Sequence, residues 1–342
     1  MVEHVKKYNE AVKLFNENRI DEAVEILIEL QKIKEVAPLC HYRLAGISNV
    51  TGDPEAAYNL YYSAFKALPN LTGALFADKH PNLNYVFKGM RPEKQRTDCP
   101  LCGGQGRPHW CYSLVEASGH NYDINPIRMW MYCEACHHIF ARDFPEKIFL
   151  QNANPRRANP LYFSYYANIL QSIRKYTAGM SLFEVGIGAC ECLLAAREMG
   201  YEPVFGIDVI ERHVEDAKKL YGLDTETADF NEYKSDRKWD IIIMGDVLEH
   251  VDDPVQAIEK AASLLSDEGA LWISTPNFDS AYSIVDGHND SMRMQQYHLN
   301  YFSRESLYNL LGRFGLAPVE YQISGHYKGS MEVISVKEER LG

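Results

Sequence analysis

The stretch from Leu182 to Val209 constrains this chain more than any other. It reads Leu-Phe-Glu-Val-Gly-Ile-Gly-Ala-Cys, then helical spacing from Cys190 to Met199, then Val204-Phe-Gly-Ile-Asp208-Val209. Leu182, Phe183 and Val185 suit a buried strand, and Val204 to Ile207 reads as the next parallel one. Gly186 and Gly188 carry no Cβ, so the backbone between strand and helix can turn tightly and come close to a ligand. Asp208 ends the second strand twenty residues after Gly188. A carboxylate placed there can accept hydrogen bonds from two ribose hydroxyls. The expectation is an adenosine-containing ligand at the carboxyl edge of a doubly wound sheet.

The flanking acids select among such ligands. Dinucleotide sites want a third glycine for close packing beside a pyrophosphate. Here that position is Glu191, and Glu184 precedes the first glycine. Carboxylates repel phosphate and suit the ammonium of an amino acid, and adenosine joined to an amino acid without phosphate is S-adenosylmethionine. At these residues the chain resembles the class I S-adenosylmethionine-dependent methyltransferases, whose first motif is E/D-x-G-x-G-x-G, with Cys190 in place of the last glycine. Further motifs follow in order: Ala228-Asp229-Phe230 after a short strand, a buried strand from Trp239 to Gly245 and Asp246, a helix from Ala257 to Leu265, and a strand from Gly269 to Pro276. A helix from Phe302 to Phe314, N-capped by Ser303 with Ser306 behind it, and edge strands at 319–324 and 331–336 complete the pattern. The resemblance covers roughly 160–340. It implies an α/β, Rossmann-like sheet that holds the cofactor through Glu184, Gly186, Gly188, Asp208, Val209, Asp229, Phe230 and Gly245.

Net charge is −12, which disfavours nucleic acid, since phosphates need a basic groove. Arg156-Arg157 is the only basic pair near the expected site. Neither a signal-peptide region nor an apolar run of membrane-spanning length is visible, so a cytoplasmic location is expected.

Three segments precede the catalytic core. Residues 5–70 repeat with a period of 34, pairing Tyr8 with Tyr42, Ala11 with Ala45, Asn18 with Gly52, Ala23 with Ala57, Leu27 with Tyr61 and Leu30 with Ala64. That part looks like tetratricopeptide repeats, which implies a helical unit over 1–90 that binds a protein partner or self-associates, with 71–90 capping or docking it. Next, within 95–145, Cys99-Pro-Leu-Cys102 and Cys133-Glu-Ala-Cys136 are two knuckles that can place four thiolates around one zinc. This resembles a zinc ribbon with a closed, structural metal site, entered by an alternating strand at Ile127–Met131. The join to the core unit at 150–342 is broken by Asn154-Pro-Arg-Arg-Ala-Asn-Pro160. After it a helix carries Tyr165 and Tyr166, a candidate lid or an aromatic packing face.

The chemistry belongs at the end of the fourth core strand, Asp246-Val-Leu-Glu249-His250. His250 has the intrinsic pKa of a general base near neutrality, with Glu249 or Asp246 to orient it. A second reading adds His298. Asp246, Glu249, His250 and His298 are similar to the metal-binding set of small-RNA 3′-terminal ribose methyltransferases, which implies Mg²⁺ or Mn²⁺ gathering the acceptor hydroxyls. The polar stretch between Tyr282 and Tyr297, with Asp286, Gly287, His288, Asn289, Asp290, Arg293 and Gln296, is a candidate acceptor pocket or a solvated loop. A ribbon ahead of the core is also similar to deoxysugar C-methyltransferases, which carry a further C-terminal domain not seen in this sequence. The expected reaction is therefore O-methylation of a hydroxyl-bearing small molecule or glycan. The alternatives are methylation of a protein or RNA brought by the repeats, or a scaffold that binds the cofactor without turnover.

Overall fold

The computed structural model describes residues 2–117, 123–145, 157–326 and 328–342. Of the break expected over 154–160, residues 154–156, Arg156 included, lie outside what is described, as does the side chain of His288.

The N-terminal part is helical: α1 (Val2–Asn16), α2 (Ile20–Leu30), α3 (Ala37–Val50) and α4 (Pro54–Ala67). Positions 34 apart have matching environments. Ala11, Ala45, Ala23 and Ala57 are all fully buried, where the absence of a larger side chain lets helices approach closely. Asn18 and Gly52 both adopt positive φ, 62° and 91°, at the turns. Asp53 caps α4 by accepting from the Ala56 amide, with Pro54 at the first helical position. A short helix, α5 (Thr72–Leu75), follows. Leu71, Tyr85 and Phe87 then pack in one core with Tyr42 and Phe65, and the Asn82 amide donates to the carbonyls of Val115 and Ala117.

The cysteine-bearing segment contributes β1 (Lys94–Gln95), β2 (Arg107–Ser113), β3 (Ile127–Cys133), β4 (His138–Ala141) and β5 (Asp143–Phe144). The alternation expected along Ile127–Met131 is absent, because all five residues are buried. One face, with Ile127, Met129 and Met131, shares a core with α3 and α4, while Trp130 on the other face packs with Tyr301, Met292 and Met294. The strand is covered on both sides.

The C-terminal half runs α6 (Phe163–Ile173), β6 (Leu182–Val185), α7 (Glu191–Glu198), β7 (Val204–Asp208), α8 (Glu211–Tyr221), β8 (Thr225–Thr227), β9 (Trp239–Gly245), α9 (Pro254–Leu264), β10 (Leu265–Pro276), α10 (Ala281–Asp286), β11 (Asn300–Tyr301), α11 (Arg304–Gly312), β12 (Leu316–Ile323) and β13 (Ser330–Lys337). Among the described residues these form a seven-stranded sheet in the order β12-β13-β10-β9-β6-β7-β8. It is parallel from β10 to β8, with β13 antiparallel between β10 and β12. The chain moves outward from β6 through β8, then returns to place β9 beside β6. That reversal opens a crevice at the carboxyl ends of the two strands. Ile241, Ile242, Ile243 and Met244 are fully buried in the middle. Ser303 and Ser306 form the expected capping box, although the helix itself is shorter than expected, Arg304 to Gly312. The helix before β10 ends at Leu264, because Leu265 already pairs with Trp239. No helix among the described residues is long and apolar enough to cross a membrane.

Between α10 and α11 the C-terminal half sends out β11, which pairs with β4 to complete the sheet β11-β4-β3-β2. The cysteine-bearing segment and the core thus share a sheet.

Candidate active site

The glycine turn after β6 is open where a ligand would enter. Gly186 and Gly188 have φ of +74° and +50°. A Cβ on Gly186 would lie 2.9 Å from Val247, whereas one on Gly188 would meet nothing within 4 Å. The Asp208 carboxylate accepts from the amides of Gly188 at 3.0 Å and Ile210 at 2.8 Å, and lies 3.2 Å from His213 Nδ1. It is thereby fixed at the strand end with lone pairs left for ribose hydroxyls. Val209 beside it leaves 47% of its surface exposed, an apolar face of the kind adenine covers. Cys190, in the place of the family's last glycine, takes φ +70°, a conformation that costs a non-glycine residue about 1–2 kcal/mol.

Glu184 is buried, and its Oε2 has no hydrogen-bond partner. Burial first, and then the charges of Glu191 and Asp208, push its carboxyl well above the usual range. A buried carboxyl with one unpartnered oxygen beside an open glycine turn fits a cationic ligand that would hold it ionised, and S-adenosylmethionine carries both an ammonium and a sulfonium. Gly245 ends β9 where a Cβ would come 3.2 Å from the Trp272 ring. One expected contact differs. Phe230 is turned into the core, its ring centroid 6.1 Å from Phe183, so it is not a free wall for adenine. Asp229 is exposed, and its Oδ1 accepts from the Asn231 amide.

At the end of β9, the four expected residues separate into two groups. Asp246, at φ +51°, accepts from Ser274 Oγ at 2.9 Å, and Glu249 accepts from Thr275 Oγ1 at 2.9 Å. Ser274 and Thr275 are consecutive on β10, so they project to opposite faces of the sheet. Glu249, His250 and His298 converge, with one ligand atom from each within 4.8 Å of the others. Asp246 stands outside that group, which corrects the four-residue metal set. His250 Nδ1 lies 3.0 Å from the Tyr297 carbonyl, an arrangement that requires the proton on Nδ1 and leaves Nε2 with its lone pair. The His250 and His298 rings meet edge to face with centroids 4.9 Å apart. Burial lowers the pKa of both imidazoles, and His250 lowers that of His298 further.

Asp246 faces residues that sequence reasoning did not single out. Burial, with a further push from Glu332, raises its carboxyl to about 7. Glu332 lies on β13 opposite Ser274 and accepts from the Tyr165 hydroxyl at 2.7 Å. Its cue was a lone acid in the apolar run Met331–Val336. Because the folded chain favours protonated Asp246, this contribution to stability is complete in acid and is lost as pH rises through 7. Asp246→Asn is therefore expected to stabilise the cofactor-free protein by about 3–4 kcal/mol more at pH 8 than at pH 4, the effect growing steadily between the two. Thermal denaturation at the two pH values measures this, and equal shifts at both would refute the assignment.

Part of the candidate acceptor segment is structural. Asp290 is fully buried and accepts from Ser283 at 2.6 Å and from the Tyr301 hydroxyl. Arg293 is buried with its guanidinium 3.2 Å from the Trp110 ring centroid. Both brace the loop and are unavailable to an acceptor. Asp286, Gly287 and Gln296 stay half-buried and Asn289 exposed. Nearby, at the carboxyl end of β10, is a cleft of about 240 Å³ lined by Asn277, Asp279, Tyr282, Arg304, Tyr321 and Ser330.

The four cysteines also come together. Sγ of Cys99 lies 3.3 Å from that of Cys136, and Cys102 lies 3.5 Å from Cys133, with all four within 4.8 Å. Tetrahedral bonds of about 2.3 Å to one ion require sulfurs at such spacing. The Leu101 amide points at Cys99 Sγ, and Gly103 and His137 take φ of +72° and +54° at equivalent knuckle positions.

A family model described as a methyltransferase domain matches residues 157–321. No curated protein compared with the chain matches it. Among solved structures, the chain is similar to magnesium protoporphyrin IX methyltransferase from Synechocystis PCC 6803 with bound SAH, at 16% identity over 54% of this chain and 90% of that one, TM-score 0.42. It is similar to the CcbJ methyltransferase from Streptomyces caelestis, at 12% identity over 55% and 94%, TM-score 0.43. It is also similar to the N-methyltransferase NodS from Bradyrhizobium japonicum WM9, at 15% over 52% and 87%, TM-score 0.40. Taken with the open glycine turn, the anchored Asp208 and the unpartnered oxygen of Glu184, the domain match gives this protein an S-adenosylmethionine-dependent methyltransferase domain over residues 157–321.

Proposed function

We propose that the enzyme methylates a hydroxyl oxygen of a small molecule or glycan, with His250 as general base. The observation that carries this reading is the Nδ1 contact of His250 to the Tyr297 carbonyl, which leaves an unprotonated Nε2 on an imidazole that burial keeps neutral. When bound, S-adenosylmethionine supplies an electrophilic methyl on a sulfonium that leaves as a neutral thioether. The acceptor oxygen forms the new C–O bond as the S–C bond breaks, and its proton passes to His250. Glu249 lies close to both imidazoles, where burial and then the charge of Asp246 push its carboxyl well above the usual range, so it would counter the resulting imidazolium only on giving up its own proton. Holding both partners in line is worth up to about 7–11 kcal/mol of barrier. The cleft beside β10 is walled partly by apolar groups such as Ile323, and its Asn277, Asp279 and Arg304 offer hydrogen bonds to a hydroxyl-bearing acceptor.

The cofactor half of the reading is tested by calorimetry. Asp208→Ala removes two charge-assisted ribose hydrogen bonds and should weaken S-adenosylmethionine binding by roughly a hundredfold, or about 3 kcal/mol. Unchanged affinity would remove Asp208 from the ribose contact.

The convergence of Glu249, His250 and His298 favours a second reading, in which these three hold Mg²⁺ or Mn²⁺, the two imidazoles favouring Mn²⁺. In the same proposal the four cysteines hold a structural zinc and residues 95–145 are a ribbon. Residues 1–90 are tetratricopeptide-like and offer a surface to a protein partner or a second copy, and 150–342 is the catalytic unit of a cytoplasmic enzyme.

A further inference from the structure

The segment from Arg293 to Asn300 passes between the core and the sheet that carries the cysteines, and its main-chain carbonyls are held from both sides. Trp130 Nε1 donates to the carbonyl of Arg293 at 2.9 Å. Arg128 Nη2 donates to that of Gln296 at 3.0 Å, and its Nη1 to that of His298 at 2.8 Å. Arg96 Nη2 donates to the Leu299 carbonyl at 3.0 Å. From the core side His250 Nδ1 meets the carbonyl of Tyr297, and the amides of Leu299 and Asn300 donate to the Glu249 carbonyl. One guanidinium therefore grips the two carbonyls that flank the one facing His250.

We infer that Arg128 is a positioning residue of the active centre: by clamping the peptides on either side of Tyr297 it fixes the carbonyl that selects the Nδ1–H form of His250. The inference rests on the reading of His250 as a base. Arg128 is 1% exposed, and its described hydrogen bonds go to main-chain oxygens, while Glu93 and Asp143 offset its charge without an ion pair to either. Enclosing a guanidinium this way is expensive, and an apolar side chain of similar length would fill the same space at lower energy. What the apolar residue cannot supply is two rigidly spaced donors. The clamp sits on β3, the strand that ends in Cys133, so the cysteine-bearing sheet becomes a wall of the catalytic site.

The test needs no acceptor. The tautomer of His250 is read from imidazole nitrogen chemical shifts in labelled full-length protein, with His250→Gln identifying the signals. Calorimetry with S-adenosylmethionine provides the check on the core. The wild type is expected to show a single Nδ1–H form. Arg128→Met should give a mixture of both tautomers while cofactor affinity stays within about threefold, and Arg128→Lys, with one donor group, should restore part of the Nδ1–H population. A single Nδ1–H form persisting in Arg128→Met overturns the inference and leaves the base reading intact. A wild type lacking that form overturns the base reading itself. Should Arg128→Met fail to fold, Arg128→Lys is read alone: a mixed tautomer supports the clamp and a wild-type spectrum overturns it. Equal loss of cofactor affinity and tautomer order would show a fold-wide role and also overturn it.

Discussion

His250→Ala leaves S-adenosylmethionine affinity unchanged and lowers methyl transfer by about 10²–10⁴-fold, the range expected for removal of a positioned general base. Affinity is spared because His250 belongs to the group with Glu249 and His298, while Gly188 and Asp208 lie on the turns after β6 and β7. The measurement is transfer of labelled methyl from S-adenosylmethionine into a hydroxyl-bearing small-molecule fraction, alongside calorimetry. Turnover equal to wild type would refute the catalytic role. Chelation separates the two readings of the same residues. Loss of transfer with EDTA, restored by Mn²⁺ or Mg²⁺, selects the metal, and indifference to EDTA selects the base. EDTA withdraws tightly held zinc more slowly, so the assay is run within minutes of mixing.

The second large effect is expected at the cysteines. Cys133→Ser should reduce bound zinc from one equivalent to near none and destabilise the protein severely, since structural zinc contributes on the order of 10 kcal/mol to the folding of small sites. The loss should not stay local. Ser303, the cap of α11, donates to the His137 carbonyl at 2.7 Å, and Arg313 donates to the Leu101 carbonyl, so both knuckles are bonded to the helix that follows β11. Elemental analysis and thermal denaturation check this. Zinc-free wild-type protein with the same melting temperature would overturn the structural zinc.

Much of the core was legible because its signals are local. A glycine pair between a buried strand and a helix has few conformational solutions, and Ser303 caps its helix through atoms three residues away. The helical pairs showed for the same reason, alanines recurring at one spacing. Other features were not legible. Asp290 and Arg293 read as solvated or acceptor-binding because charge predicts exposure, yet both are buried by Tyr301 and Trp110, partners that no nearby sequence signals. Phe230 looked like an adenine wall until the packing of Phe183 turned it inward. Glu332, far along the chain, faces Asp246 only through sheet register.

The sequence by itself determined the parallel core, the acids and glycines at its ligand edge and the paired cysteine knuckles, since each depends on residues within a turn or a strand of one another. Tertiary structure alone decided that Asp246 parts from Glu249, His250 and His298. It also placed β11 beside β4 and set Arg128 beneath the loop of His298. Those arrangements are made by contacts between residues as many as 170 positions apart, and chain spacing carries no trace of which distant carbonyl a buried guanidinium will meet.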